Sequence, residues 1–418
     1  MELIKDKFLP SYNYIKTLFK WMVIASCVGL IGGAVGSVFH LSIDYVTEFR
    51  TGAPWIVYFL PVGGVIIAFI YHIFRSKGNI DTNRVLEAAS TDKNVPVVMV
   101  PLIFAGTVIT HLLGGSAGRE GAALQLGGGI GYNFGKLVKL KKRDMHIVVL
   151  AGMSGVFAAL FGTPLTAAIF ALEVVAVGRI YYAALLPCTI SAVISFLVAG
   201  GFGVSPIRFD EIVFPAISAE IIIKSVVIAG VCALCSILFC VTIKRCEGYA
   251  AKLFKNNYIR AAVGGTLIVL FTLIIGTRDY NGAGMDIIAK ALSGNARPEA
   301  FLLKIVFTAI TISAGFKGGE IVPALFIGST LGCTLGTVLG IDPSLAASLG
   351  FVALFCGVVN CPLASIMLSV EVFGAEGLLI FAIVCGVSYM LSGYFGLYKS
   401  QRFIYSKLNE DYLDISAK

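Results

Sequence analysis

Apolar residues in this chain come in long blocks, with neither the alternation of a strand nor the single stripe of a soluble helix. Residues 21–43, 55–74, 97–113, 180–206, 225–243, 261–277, 305–316, 321–341, 344–370 and 377–398 contain no Asp, Glu, Lys or Arg, and 144–172 carries only Asp144. A helix needs ~20 such residues to cross a hydrocarbon core of about 30 Å. The pattern therefore predicts an all-α polytopic membrane protein with roughly a dozen candidate spans. Several blocks are short or interrupted by glycine. Non-helical backbone at membrane depth is tolerated only where protein buries it or a cavity receives it, so these blocks predict half-helices around an internal site.

Composition agrees: 57% of residues are hydrophobic and 13% charged, against ~25% charged in a soluble domain. Residues 1–20 contain both signs of charge and no cleavage signature, so they read as a cytoplasmic N-terminal segment, with Trp21 opening the first span. Basic residues gather in 136–143, 244–260 and 399–407, and the net charge is +8. The positive-inside rule puts those loops and both termini in the cytoplasm, in a membrane of the bacterial cell type, with 401–418 as a short cytoplasmic tail. Basic charge confined to short loops does not make a nucleic-acid surface. Cys232 and Cys235 lie in an apolar block without a second pair or a nearby His, and they read as packing residues. No metal or cofactor set is predicted.

Four glutamates interrupt or border the apolar blocks: Glu120, Glu173, Glu320 and Glu371. Ionisable residues in such places are costly and have a function or a fixed partner. "GSAGREGAALQLG" (115–127) matches "GFKGGEIVPALFIG" (315–328), pairing Glu120 with Glu320, with one residue inserted after the glutamates. "GTPLTAAIFALEVV" (162–175) matches "NCPLASIMLSVEVF" (360–373), pairing Pro164 with Pro362 and Glu173 with Glu371. Two motifs in the same order about 200 residues apart predict duplicated halves, 21–200 and 215–400, of the kind that form inverted repeats around a midplane site.

In each first motif a glycine-rich turn feeds an apolar run, as a helix beginning inside the membrane would. Its leading N–H groups lack intrahelical partners, and its dipole favours an anion. Gly118, Gly121, Gly318 and Gly319 allow close approach of an ion. Partial charges also bind weakly enough to release what they hold. A carboxylate at Glu120 can occupy the place of the anion and leave it on protonation, which makes it a gate and a proton carrier. Alternatively, Glu120 caps its helix or pairs with Arg119. Glu173, Glu320 and Glu371 read as structural helix-end residues.

These residues resemble the CLC family of chloride channels and anion/proton antiporters. Gly118-Arg119-Glu120-Gly121 is similar to the family's GREGP motif, with Ala122 in place of Pro; Gly319-Glu320-Ile321-Val322-Pro323 is similar to GxFxP, with Ile321 in place of Phe. The resemblance implies a CLC-like fold of two inverted repeats with many tilted, broken helices, assembled as a homodimer in lipid. It implies that Glu120 gates the pathway and carries protons. It also implies that Gly118, Arg119, Gly121, the Ile321 and Val322 amides and Tyr398 face the anion. Asn79 stands nearest the serine of the family's GSGIP motif. The missing serine and proline are similar to the fluoride-exporting branch. Val174 occupies the second, inner position of the antiporters' glutamate pair.

The expected function is thus transport of a small monovalent anion, chloride or fluoride, by a channel or a proton-coupled antiporter, without enzymatic activity. The alternatives are a sodium-coupled carrier and a membrane enzyme acting on a phosphate-bearing lipid.

Overall fold

A computed structural model describes residues 2–74, 81–91, 93–209 and 212–418, with side chains from Asn13 onward. Asn79 lies outside the described residues. Sixteen α-helices occur among the described residues, eight in each half. The first eight are α1 (Glu2–Gly52), α2 (Leu60–Ile73), α3 (Thr82–Ala88), α4 (Met99–Leu112), α5 (Glu120–Leu137), α6 (Lys142–Phe161), α7 (Pro164–Glu173) and α8 (Leu185–Gly201). The second eight are α9 (Ala219–Leu253), α10 (Asn257–Ile275), α11 (Met285–Leu292), α12 (Ala300–Ser313), α13 (Ile321–Leu339), α14 (Pro343–Val359), α15 (Pro362–Phe373) and α16 (Leu378–Leu391).

Seven helical segments are long and apolar enough to cross a membrane, and six others of 10–17 residues are apolar but shorter. Outward-facing leucines and isoleucines such as Leu234 and Ile274 are largely exposed, as lipid contact requires. The 51-residue α1 begins at Glu2 and has no break at residue 20. The N-terminal segment expected before Trp21 is therefore continuous with the first span.

Each half is built around a pair of helices packed backbone to backbone. A Cβ on Gly127 of α5 would lie 2.2 Å from the Gly152 carbonyl oxygen of α6, and one on Gly131 would lie 2.2 Å from that of Val148. In the second half, Gly328 and Gly332 of α13 stand in the same relation to Gly350 and Ala346 of α14, at 2.3 and 2.2 Å. Small residues at such crossings let helices approach where lipid supplies no hydrophobic drive.

The structure corrects the register of the repeat. Gly114 after α4 and Gly315 after α12 both have positive φ, +86° and +96°. Arg119 (φ −110°, ψ −7°) and Glu320 (φ −102°, ψ −8°) are the N-cap residues of α5 and α13. Arg119 is thus the structural counterpart of Glu320, and Glu120 that of Ile321. From Gly114/Gly315 through the glycine crossings at Gly127/Gly328 the spacing is a constant 201 residues, so the two turns are of equal length and need no insertion.

The tail adds a small sheet to this all-α body. β1 (Ala176–Val177) pairs in parallel with β2 (Arg402–Tyr405), which pairs antiparallel with β3 (Tyr412–Ser416). Residues 401–418 therefore fold back as a hairpin against the end of α7.

Candidate functional site: two helix starts and a buried carboxylate

The starts of α5 and α13 meet head to head. Gly118 N–H donates to the Gly319 carbonyl at 2.6 Å, and Gly319 N–H donates to that of Gly118 at 2.7 Å, a two-residue antiparallel bridge. A Cβ on Gly319 would lie 2.4 Å from the Gly121 nitrogen, so glycine is required for the approach. The flanking turns are tied reciprocally: Ser116 N–H donates to Thr311 Oγ1 of α12 at 3.0 Å, and Lys317 N–H donates to Thr110 Oγ1 of α4 at 3.2 Å.

Glu120 is wholly buried at this junction. Its Oε2 accepts the Val322 N–H of the opposing helix at 3.2 Å, and its Oε1 has no partner. It makes no ion pair with Arg119 among the described residues. Arg119 instead reaches Asp44 of α1, Nη1 to Oδ1 at 2.8 Å, and His40 holds the other Asp44 oxygen at 2.9 Å. Glu320 sits at the start of α13 without a side-chain capping bond. The register explains the difference: one residue of offset turns Glu120 toward the opposing amide and Glu320 toward a cavity.

Two cavities flank the junction and share no lining residue. The first, about 670 Å³, is lined by Thr82, Gln125, Lys317, Gly318, Glu320 and Tyr398 among others, with Lys244, Lys399 and Arg402 at its rim. The second, about 720 Å³, is lined by Asp44, Arg50, Arg119, Arg278, Asp286 and Val322 among others. Glu120 lines neither.

Tyr398 is buried, with a hydroxyl that has no protein partner. Four polar side chains not singled out from the sequence, Thr82, Asn83, Gln125 and Ser400, join it in the first cavity. Gln125 Nε2 donates to Thr82 Oγ1 at 2.9 Å, leaving the Gln125 Oε1 unpartnered. Ser400 donates through both its N–H and its hydroxyl to Asn83 Oδ1, each at 3.1 Å, clasping the Tyr398 loop to α3. Gln125 was detectable as the one polar side chain in "AALQLGGGIG"; Thr82 and Asn83 carry no such signal.

Glu173 and Glu371 face away from the junction and bind each other's half. Glu173 accepts the Leu363 and Ala364 N–H groups at the start of α15, at 3.2 and 2.8 Å. Glu371 accepts those of Leu165 and Thr166 at the start of α7, at 3.0 and 2.8 Å. Val174 is buried, and its carbonyl accepts Gln401 Nε2 at 3.1 Å.

The sequence pattern of the family described as "Voltage gated chloride channel" matches residues 63–393. The chain belongs to this family. It is 35% identical over 397 residues to the "Chloride/fluoride channel protein" of Pseudomonas syringae pv. tomato, covering 93% of this chain and 87% of the relative. Its fold is similar to the crystal structure of a CLC-type fluoride/proton antiporter, with a TM-score of 0.87 and 29% identity, covering 92% of this chain and 98% of the other. A slow cyanobacterial Cl−/H+ antiporter shares the fold at a TM-score of 0.79 and 18% identity, covering 89% and 94%. The architecture is therefore the CLC fold of a multi-pass membrane protein. The family's relatives named here are transport proteins, and they give the lipid-enzyme reading no support.

Proposed function

We propose that the protein transports a small monovalent anion, fluoride or chloride, through a pathway closed by the Glu120 side chain, and that it has no enzymatic activity. The observation that carries this reading is the Glu120 Oε2 on the amide of Val322, a residue that lines one of two cavities with no lining residue in common. The carboxylate occupies the position a permeant anion would take at the start of α13. Protonation removes its charge and its claim on that amide, which frees the donor for an incoming ion. The coupling of anion and proton then follows from competition for one site.

The first cavity is the cytoplasmic vestibule, since its rim carries Lys244, Lys399 and Arg402 from the basic loops. Gly121, the Ile321 and Val322 amides and the Tyr398 hydroxyl face the ion, and Gly118 permits its approach. Arg119, neutralised by Asp44, acts as part of the external vestibule wall. Glu173 and Glu371 are structural. The similar proteins are named for fluoride and for chloride, and Ala122 favours the fluoride side of that choice. The protein works as a homodimer in lipid, with both termini cytoplasmic.

The test is efflux of fluoride and of chloride from proteoliposomes, with and without an imposed pH gradient, for wild type and Glu120→Gln. Wild type is expected to move at least one anion with a rate that depends on pH, and Glu120→Gln is expected to lose that dependence. A pH response unchanged in Glu120→Gln removes the gate assignment. Anion flux that drives no proton movement leaves a channel.

A further inference from the structure

We propose that Lys317 forms a separate subsite that recruits the transported anion into the cytoplasmic vestibule before it reaches the helix-start junction. This rests on the anion-transport reading above.

The first observation is what the other cations of that cavity are doing. Lys93 is paired with Glu87, Lys399 with Glu247 and Arg402 with Asp414, and Lys244 donates to the Lys418 carbonyl. Lys317, which lines the same cavity, has no carboxylate within ion-pair distance and no hydrogen bond from its ammonium among the described residues. Asp81, Glu247, Glu320 and Arg260 act on it electrostatically from further away.

The second observation is that the side chain is held. Its stem lies in the notch left by Gly106 of α4, where a Cβ would come within 2.9 Å of the Lys317 Cγ. Its ammonium stands 4.4 Å above the Tyr71 ring of α2, a geometry that stabilises a cation. The Tyr71 hydroxyl is buried without a partner, which leaves a spare donor beside the charge.

The third is the break in repeat symmetry. Lys317 and Ser116 are tied by equivalent bonds to Thr110 and Thr311 and so occupy equivalent positions. Ser116 is fully buried and shares a hydrogen bond with Thr308 at 3.1 Å. The frame therefore has no structural need for a lysine, and only the cytoplasmic side carries one. Its backbone precedes Gly318 and the bridge, so an anion drawn to it is adjacent to the junction. A fixed charge in a low-dielectric cleft raises the local concentration of counter-ions by roughly 10- to 1,000-fold.

The experiment measures half-saturation by fluoride and by chloride from each face of oriented membranes. The variants are Lys317→Met, Lys317→Arg and Lys317→Cys, the last before and after reaction with aminoethyl or sulfonatoethyl methanethiosulfonate. Lys317→Met should raise the cytoplasmic half-saturation concentration about tenfold and leave the external value within error, while Lys317→Arg stays near wild type. The aminoethyl adduct of Lys317→Cys, which restores an ammonium to a folded protein, should recover the wild-type value, and the sulfonate should not. Intact flux with an unchanged cytoplasmic half-saturation in Lys317→Met removes the subsite alone. A shifted pH profile with unchanged half-saturation assigns Lys317 to Glu320 and also overturns it. Wild type that moves neither anion removes the transport reading and the subsite with it.

Discussion

Gly118 has no side chain because Glu120 occupies the space. A Cβ there would lie 2.2 Å from the Glu120 Oε2 and 3.1 Å from both the Val322 Cβ and the Pro323 Cδ. The far end of a glutamate yields more easily than backbone, so Gly118→Ala should push the carboxylate off the Val322 amide. We predict a phenotype close to Glu120→Gln, in which efflux keeps its rate but loses most of its pH dependence. A Gly118→Ala protein with the wild-type pH profile would show that the carboxylate position is not what closes the pathway. Glu120 itself was legible, being an expensive residue in an apolar stretch. Its partner was not, because a backbone amide about 200 residues away has no side chain to announce it.

At the level of elements, the sequence exposed the repeat but misplaced its register by one residue. Matching like with like paired Glu120 with Glu320, whereas the helix starts pair Glu120 with Ile321. Side-chain identity was the wrong guide there, since the duplicated feature is a backbone turn. The Pro-Leu motifs read more directly, because proline marks where α7 and α15 begin. There each half supplies a carboxylate to the other's free amides, two bonds apiece. Removing an acceptor from a buried donor costs about 1–3 kcal/mol, and hydrogen bonds inside membrane proteins average nearer ~0.6 kcal/mol. Glu173→Ala and Glu371→Ala should therefore each destabilise the protein by about 1–5 kcal/mol. This is read as a fall in the detergent-solubilised thermal midpoint, with flux per folded molecule largely retained. A midpoint equal to wild type in both variants would show that these caps carry no stability.

Across the whole molecule, the tail closes over the membrane-embedded body. Lys407 Nζ donates to Asn360 Oδ1 at 2.5 Å, to the Tyr389 carbonyl at 2.7 Å and to Ser392 Oγ at 3.0 Å, at the carboxyl ends of α14 and α16. It also lies 4.2 Å above the Tyr389 ring. Burial nonetheless lowers its affinity for a proton, from the ordinary 10.5 to about 7. Because the unfolded chain keeps the proton up to about pH 10.5, the cost of burying the charge is full below about pH 7 and fades as pH rises. Wild type should therefore gain thermal stability between pH 7 and 9.5 relative to Lys407→Met. Parallel midpoint curves for the two proteins would sink this assignment. The hydrophobic blocks identified the membrane body of the fold, but not this hairpin, whose strands are 4 and 5 residues long and gain their order from docking on the two-residue β1.

The bridge between Gly118 and Gly319 has a mechanical consequence. Each glycine spends both its N–H and its carbonyl on the other, so drawing the two halves apart would strand four polar backbone groups in apolar surroundings. The seam resists the movement that a rocking carrier relies on. What can move without opening it is one carboxylate, so the gate proposed for Glu120 is a turnstile set in a rigid frame, not a pair of doors.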